Sequence, residues 1–262
     1  MNLPSHRTYD RGGARPVLAL HCSLAHAAAW APLAAELQGV TLTAIDQPGH
    51  GRAPDWDGVS DIHRLYLDWA VAMAEALGGP LDVIGHSYGG TVALRLAEER
   101  PDLLRSLALI EPSIFIAAEG GPGFDDLIAR LAPFHALLAE GKAAEAAALF
   151  QTVWGDGSDF ADQPAGRRGY IIDRIGLIKP QSAFLEVDGA GLLRPGRLEA
   201  IKVPVLILRG AESPPVVAEV SAALAARLFD VQEVVVAGAA HMVPISHPAE
   251  TAAAVQALLE RA

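Results

Sequence analysis

Residues 81–90 constrain the fold of this chain more than any other segment. They read Leu-Asp-Val-Ile-Gly-His-Ser-Tyr-Gly-Gly, so a short apolar run meets a Gly-x-Ser-x-Gly pentapeptide, and a helix-forming segment, residues 91–100, follows at once. A strand, a sharp turn with a central serine and a helix are together typical of a nucleophile elbow. A Cβ at Gly85 or Gly89 would meet the neighbouring strand or helix, which explains both glycines. The pentapeptide alone is weak evidence, but in this context it predicts that Ser87 is a nucleophile.

Composition limits the class of protein. The chain has 262 residues, of which 51% are hydrophobic, enough for one large α/β domain or two small ones. A formal net charge of −11 argues against nucleic acid or an anionic membrane as a partner. The sequence contains no uncharged apolar run of about 18 residues, so we expect no membrane span. Residues 1–10 lack the apolar core of a secretory signal, and the single cysteine, Cys22, fits a reducing compartment. We therefore expect a cytoplasmic protein.

Apolar runs of strand length alternate with helical stretches in two blocks. This alternation predicts βαβ units and a mostly parallel sheet with helices on both faces. The predicted strands are residues 16–21, 40–46, 81–85, 105–111, 203–209 and 231–237. The predicted helices of the two blocks are residues 28–37, 62–77, 91–99, 216–228 and 248–261.

The pattern changes between the blocks, in residues 113–197. Helical stretches 124–140, 143–153 and 166–178 occur there without a clear strand pattern, which predicts a helical insertion between core segments 1–112 and 198–262. Six of the seven phenylalanines fall in the insertion. They either form its own small core or line an apolar pocket above the sheet.

A serine hydroxyl becomes an efficient nucleophile only when an oriented base removes its proton. In an elbow protein the acid and then the histidine follow the serine along the chain, so the base belongs after the last strand. His241 lies there, whereas His247, followed by a proline at a helix start, is better explained as structural. The backbone N–H groups of Tyr88, after the nucleophile, and Ser23, after an early strand, are the candidate oxyanion donors. Cys22 is interpreted as a small filler beside the site.

These motifs resemble those of the α/β-hydrolase superfamily over essentially the whole chain. The resemblance implies an α/β-hydrolase fold in which residues 113–197 form a helical cap over a pocket above Ser87. Two departures are visible: Cys22 replaces a usual glycine, and the short N-terminal segment predicts that the leading β-hairpin is abbreviated or missing, with seven strands or fewer. The matching segments are His21-Cys22-Ser23, where His-Gly-x is usual, Asp46-Gln47-Pro48-Gly49-His50-Gly51-Arg52, Gly85–Gly90, Leu109-Ile110-Glu111-Pro112, and Gly238-x-x-His241 followed by His247-Pro248.

The acid is the largest departure from the pattern. The resemblance places an Asp three residues after a glycine at the end of the penultimate strand, where this chain has Ser213. Glu111 is the preferred substitute, because some family members, including certain haloalkane dehalogenases, carry their acid at the end of this strand. Glu212, one residue before the usual place, and a dyad without an acid remain alternatives. On a purely structural reading, Glu111 caps the Pro112 turn and Glu212 is a solvated loop residue.

The resemblance implies a serine hydrolase that cleaves a small to medium, mostly apolar carboxylic ester through an acyl-enzyme on Ser87. A carbon–carbon bond hydrolase, a lactonase or a perhydrolase on the same triad would look similar. A ligand-binding protein of this fold with weak turnover is the alternative from another class. No metal cluster or phosphate-binding glycine loop occurs in the sequence, so no cofactor and no metal are expected. The expected partner is a small-molecule substrate, bound by a monomer or a homodimer.

Overall fold

A single twisted sheet organises the chain in the computed structural model, which describes residues 3–262. Seven strands lie in the order β1-β3-β2-β4-β5-β6-β7, and in this described part only β1 runs antiparallel to its neighbour. The strands are β1 (His6–Asp10), β2 (Arg15–Leu20), β3 (Val40–Ile45), β4 (Leu81–His86), β5 (Leu104–Ile110), β6 (Val205–Gly210) and β7 (Val231–Val236). The predicted mostly parallel α/β sheet is confirmed.

Helices cover both faces of the sheet because the central strands bury their side chains on both sides. In β2, Leu18 and Leu20 belong to one apolar cluster with helical residues such as Tyr66, Val92 and Val220, while Val17 and Ala19 belong to a second cluster with helical residues such as Leu33 and Val255. The bounds are α1 (Ala31–Glu36), α2 (Ile62–Ala76), α3 (Tyr88–Glu99), α4 (Pro122–Ala139), α5 (Ala143–Trp154), α6 (Ala165–Arg174), α7 (Ile178–Leu185), α8 (Pro215–Ala225), α9 (Val243–Ser246) and α10 (Pro248–Arg261).

Residues 113–197 connect β5 to β6 and contain helices α4 to α7 but, among these described residues, no strand. The predicted helix over residues 166–178 is divided here. α6 ends at Arg174, a single turn of 3-10 helix covers Ile175–Leu177, and α7 then extends the helical region to Leu185.

The N-terminal edge of the sheet has one strand rather than a full hairpin. β1 pairs with β3 from His6 opposite Ile45 to Asp10 opposite Thr41, and the chain then turns back into β2. The expected abbreviated N-terminus and a sheet of seven strands agree with this arrangement. Across residues 3–262, none of the helices has the length and apolar character needed to span a membrane.

His63 of α2 is buried against the helical segment of residues 113–197, and neither of its ring nitrogens has a hydrogen-bond partner. Its ring stacks on that of Phe184 from α7 at 4.5 Å between centroids. Burial and, to a smaller extent, the charge of Arg95 lower the pKa of His63 to about 3. Burial likewise lowers the pKa of His21 to about 4 and those of His50 and His86 to about 3. These imidazoles are therefore neutral in the folded protein at neutral pH.

We predict that the free energy of unfolding falls as the pH falls from about 6.5, the ordinary histidine pKa, towards 4, because the unfolded chain binds protons that the folded chain does not. His63→Phe keeps the aromatic contact and removes one such proton site. When the free energy of unfolding is measured with urea between pH 7.5 and 5, its slope against pH should be smaller by about one proton in this variant. Equal slopes in His63→Phe and the wild type would contradict the prediction.

Candidate active site

Ser87 lies at a sharp turn between β4 and α3. Its backbone is left-handed, with φ 55° and ψ −120°, a conformation that costs a non-glycine residue about 1–3 kcal/mol. A Cβ on Gly85 would lie 2.4 Å from the carbonyl oxygen of Gly89, and one on Gly89 would lie 2.2 Å from that of Leu20. The chain can therefore turn this tightly only with glycine at both positions, and the turn presents the serine hydroxyl above the sheet.

Three side chains form a continuous hydrogen-bonded line at the carboxyl ends of the central strands. His241 Nε2 lies 3.0 Å from Ser87 Oγ, and His241 Nδ1 lies 2.6 Å from Glu111 Oε2. His241 follows β7, and Glu111 directly follows β5. The structure thus brings together the three residues that the sequence proposed as nucleophile, base and acid.

The carboxylate of Glu111 is completely enclosed and fully hydrogen-bonded. Its Oε1 accepts from the Gly210 N–H at 2.6 Å and from Ser213 Oγ at 2.5 Å, while Oε2 faces His241. Burial alone would raise the pKa of this carboxyl group. The hydrogen bond and charge of His241, with the two donors on Oε1, outweigh burial and hold the pKa of Glu111 below its ordinary value.

The alternative acid, Glu212, is not brought to His241. Its side chain is exposed, and its backbone N–H donates to the carbonyl of Ala239. Ser213 occupies the place where the resemblance leads one to expect an aspartate, and it contributes a hydroxyl donor to Glu111 instead.

The loop that carries His241 is held from several sides. His86 Nε2 donates to the backbone carbonyl of His241 at 2.9 Å, and the Trp154 ring packs edge-on against the imidazole at 4.7 Å between centroids. A Cβ on Gly210 would lie 2.2 Å from the carbonyl oxygen of Ala239, so the close approach of β6 to this loop requires glycine. These contacts fix the imidazole between the serine and the carboxylate.

Sequence reasoning missed a second serine at the nucleophile. Ser113 Oγ lies 2.8 Å from Ser87 Oγ, and the Ser113 N–H donates to the Ser87 carbonyl at 3.3 Å. When Ser87 donates its proton to His241, Ser113 can donate to Ser87 Oγ. The available signal was position: Ser113 follows Glu111-Pro112 at the end of a strand adjacent to the elbow.

Of the two candidate oxyanion donors, Tyr88 directly follows Ser87, and Ser23 lines the same cavity as Ser87. Tyr88 is the first residue of α3, where N–H groups lack intrahelical partners. Ser23 lies in the loop after β2, and no turn, loop or cap hydrogen bond within residues 3–262 uses its N–H as donor. Cys22 beside it is buried, and burial raises the pKa of its thiol to about 12, so it stays a thiol at neutral pH.

A cavity of about 530 Å³ opens above Ser87 between the sheet and the helical segment. Its wall is mainly apolar, and Phe115 and Phe150 line it, as the pocket interpretation of the phenylalanines expects. Phe134 is buried in the large cluster that also contains Leu18 and Leu20 of the sheet, and not in a small core of the insertion's own. Among the described residues, no group of three or more His, Cys, Asp or Glu side chains gathers as a metal site. Further apolar lining comes from Leu131, Trp154, Ile171, Ile178 and Leu185.

Comparison with known proteins places this arrangement in a family. A sequence model of the Alpha/beta hydrolase family matches residues 17–254. The chain belongs to this family. It is 30% identical over 260 residues to Lipase LipV of Mycobacterium tuberculosis, a match that covers 96% of this chain and 95% of the relative. It is also 30% identical over 241 residues to 2-(acetamidomethylene)succinate hydrolase of Mesorhizobium japonicum, covering 89% and 84%.

The fold of this α/β hydrolase is also that of MenH from S. aureus. The two structures superpose with a TM-score of 0.74 over 98% of each chain at 17% identity, a level that shows the fold alone. The relatives named as lipase and hydrolase, together with the family match, show that the chain is a hydrolase.

We predict that Glu111→Gln lowers the kcat of this hydrolase by about 10³- to 10⁴-fold, because an amide cannot stabilise the imidazolium or enforce the correct tautomer of His241. Glu212→Gln is the matched control and should leave kcat unchanged. Steady-state kinetics on the purified variants checks both; a large loss confined to Glu212→Gln would show that the acid has been misassigned.

Ser113→Ala should lower kcat by about 10- to 100-fold, the worth of one hydrogen bond to a group that becomes charged. Ser221→Ala removes a buried serine from α8, remote from the cavity, and serves as the control. An unchanged kcat in Ser113→Ala would mean that its contact with Ser87 Oγ has no part in turnover.

Proposed function

We propose that this hydrolase cleaves small to medium, mostly apolar carboxylic esters through an acyl-enzyme on Ser87. The observation that carries the proposal is the line of hydrogen bonds from Ser87 Oγ through His241 to the buried carboxylate of Glu111, at 3.0 and 2.6 Å. This line opens into a mainly apolar cavity. Nucleophile, base and orienting acid are thus in reach of one another, with room for an ester above them.

In the first half-reaction, Ser87 Oγ attacks the ester carbonyl carbon while His241 Nε2 takes the serine proton. The oxygen of the tetrahedral intermediate carries the negative charge and faces the N–H groups of Ser23 and Tyr88. The carbon–oxygen bond to the alcohol then breaks, and His241 returns the proton to the departing alcohol. In the second half-reaction a water, deprotonated by His241, attacks the carbonyl carbon of the acyl-enzyme. The bond from that carbon to Ser87 Oγ then breaks, His241 returns the proton to Ser87 Oγ, and the carboxylic acid is released. Glu111 stays ionised throughout and stabilises the imidazolium.

We further propose that residues 113–197 serve as a cap that selects the substrate. The cap supplies much of the cavity wall, including Phe150, Trp154 and Ile171. Arg167 is the one Arg or Lys among the described residues that line the cavity, and Asp156 already pairs with it at 3.0 Å. Glu186 adds a negative group to the same wall. A substrate with free carboxylates would find no unpaired cation there, which favours an uncharged ester.

We also propose the location, the kind of partner and the assembly state that the sequence leads us to expect. The single cysteine and the composition support a cytoplasmic enzyme that acts on a small molecule as a monomer or a homodimer. Size-exclusion chromatography with light scattering distinguishes the two assembly states.

The test combines active-site labelling with a panel of p-nitrophenyl esters from acetate to palmitate. We expect the wild type to react with a fluorophosphonate and to favour short and medium acyl chains, because the cavity encloses a limited volume. Ser87→Ala should abolish labelling and lower kcat by about 10⁵-fold or more. A wild type that neither reacts with the fluorophosphonate nor hydrolyses any ester would favour a ligand-binding protein of this fold.

A further inference from the structure

Two buried glutamines connect the cap to the loop that carries Ser23. Ser23 Oγ donates to Gln181 Oε1 at 2.5 Å, and Gln181 Nε2 donates to Gln47 Oε1 at 3.2 Å. Gln47 Nε2 in turn donates to the backbone carbonyl of Cys22 at 2.9 Å. Gln181 belongs to α7 of the cap, and Gln47 lies in the loop after β3. We call this series of bonds the glutamine chain. It begins on Ser23 and returns to the residue before it.

The Cys22 carbonyl is held by a second side chain. His21 Nδ1 donates to it at 2.7 Å, while His21 Nε2 accepts from the Gln47 N–H at 3.1 Å, which assigns the proton to Nδ1. His21 is buried, and burial lowers its pKa to about 4, so the neutral form that makes both bonds is present at neutral pH. The Ala25 N–H approaches the same carbonyl at 3.3 Å.

The carbonyl of Cys22 and the N–H of Ser23 belong to one peptide group. Such a group is planar and rigid, and in its trans form the two bonds point in opposite directions. Any bond that fixes the Cys22 carbonyl therefore also fixes the direction of the Ser23 N–H. Hydrogen bonds to a carbonyl also polarise its peptide group, which strengthens the N–H as a donor.

A simpler account is that each buried amide is satisfied by whatever polar group is near. Gln47 and Gln181 are both fully buried, and buried amides do need partners. That account leaves unexplained why a residue of the cap is joined to both sides of the Cys22–Ser23 peptide, whose N–H makes no turn, loop or cap hydrogen bond within residues 3–262. An apolar pair would fill the space without any buried amide.

We propose that Gln181 and Gln47 are positioning residues that orient the Cys22–Ser23 peptide, so that the cap, through Gln181, helps to direct the Ser23 N–H as an oxyanion donor. This proposal rests on the proposed ester hydrolysis at Ser87. It makes the cap part of the catalytic geometry as well as a cover for the substrate.

The test is a double-mutant cycle with Gln181→Met, Ser23→Ala and the double variant. Met matches the volume of Gln without its hydrogen bonds, and Ser23→Ala keeps the backbone N–H. We expect each single variant to lower kcat for p-nitrophenyl acetate by about 10- to 100-fold, the cost of a misdirected group, with KM within about threefold of the wild type, because the interaction is made in the transition state. The double variant should resemble the worse single variant, because both residues act through one peptide.

A trifluoromethyl ketone provides a second readout. It adds to the serine as a hemiketal whose oxygen carries the negative charge of the intermediate, so its affinity should fall by the same factor as kcat. Gln163→Met is the matched control: it removes a buried cap glutamine that bonds to Ser158 and does not line the cavity. Multiplicative effects in the double variant, a change confined to KM, or an equal loss in Gln163→Met would overturn the proposal.

The outcomes separate this proposal from the ester hydrolysis on which it rests. A wild type that hydrolyses no ester but still adds the ketone at Ser87 would contradict the ester assignment, and the ketone affinity of Gln181→Met would then decide the role of the glutamine chain. A wild type that does neither would overturn both. If Gln181→Met does not fold, Ser23→Ala, which removes a single hydroxyl, carries the test.

Discussion

The rest of the site depends on the ionised carboxylate of Glu111. This carboxylate is buried between β5, β6 and the loop after β7. A charge without water is stable only when donors surround it. Here the donors come from three separate parts of the chain: Gly210 at the end of β6, Ser213 after it, and His241 after β7. Glu111 itself adopts a left-handed backbone with φ 47°. The hydrogen bonds to this one carboxylate therefore hold the ends of β5, β6 and β7 close together, and the position of the imidazole follows from them.

Most of the fold could be predicted from local patterns along the sequence. Five of the strands, β2 to β6, are apolar runs buried almost throughout, and β7 was recognised from its valines although it is an edge strand with mostly exposed or half-buried side chains. The predicted bounds of these six strands agree with the observed ones to within about two residues, as expected for boundaries predicted from a pattern. β1 left no such signal, because His6–Asp10 is an edge strand with mostly exposed side chains. The break between α6 and α7 was missed for another reason: no proline lies within residues 166–178, so the helical pattern continues across the 3-10 turn at Ile175–Leu177.

The site was predictable where chain order determines it and unpredictable where contacts across the fold do. Ser87 and His241 follow from an elbow and from a histidine placed after the last strand. The choice between Glu111 and Glu212 depends on which carboxylate points inward, and no local pattern records that direction. Ser113 and Gln181 contact partners on other elements, at sequence separations of 26 and 158 residues, so their neighbours in the sequence do not reveal these contacts.

The hydrogen bond between Ser213 and Glu111 shows why only one of the two possible acid positions carries a charge in this chain. The two places where a family member can carry its carboxylate are here occupied by atoms 2.5 Å apart. A descendant with carboxylates at both places would have to share a proton between them, since like charges at that separation do not both ionise. A hydroxyl at one place avoids the conflict and still serves the other. Ser213 thus leaves a single charge, that of Glu111, to face the imidazole, and its hydroxyl adds a donor to that charge.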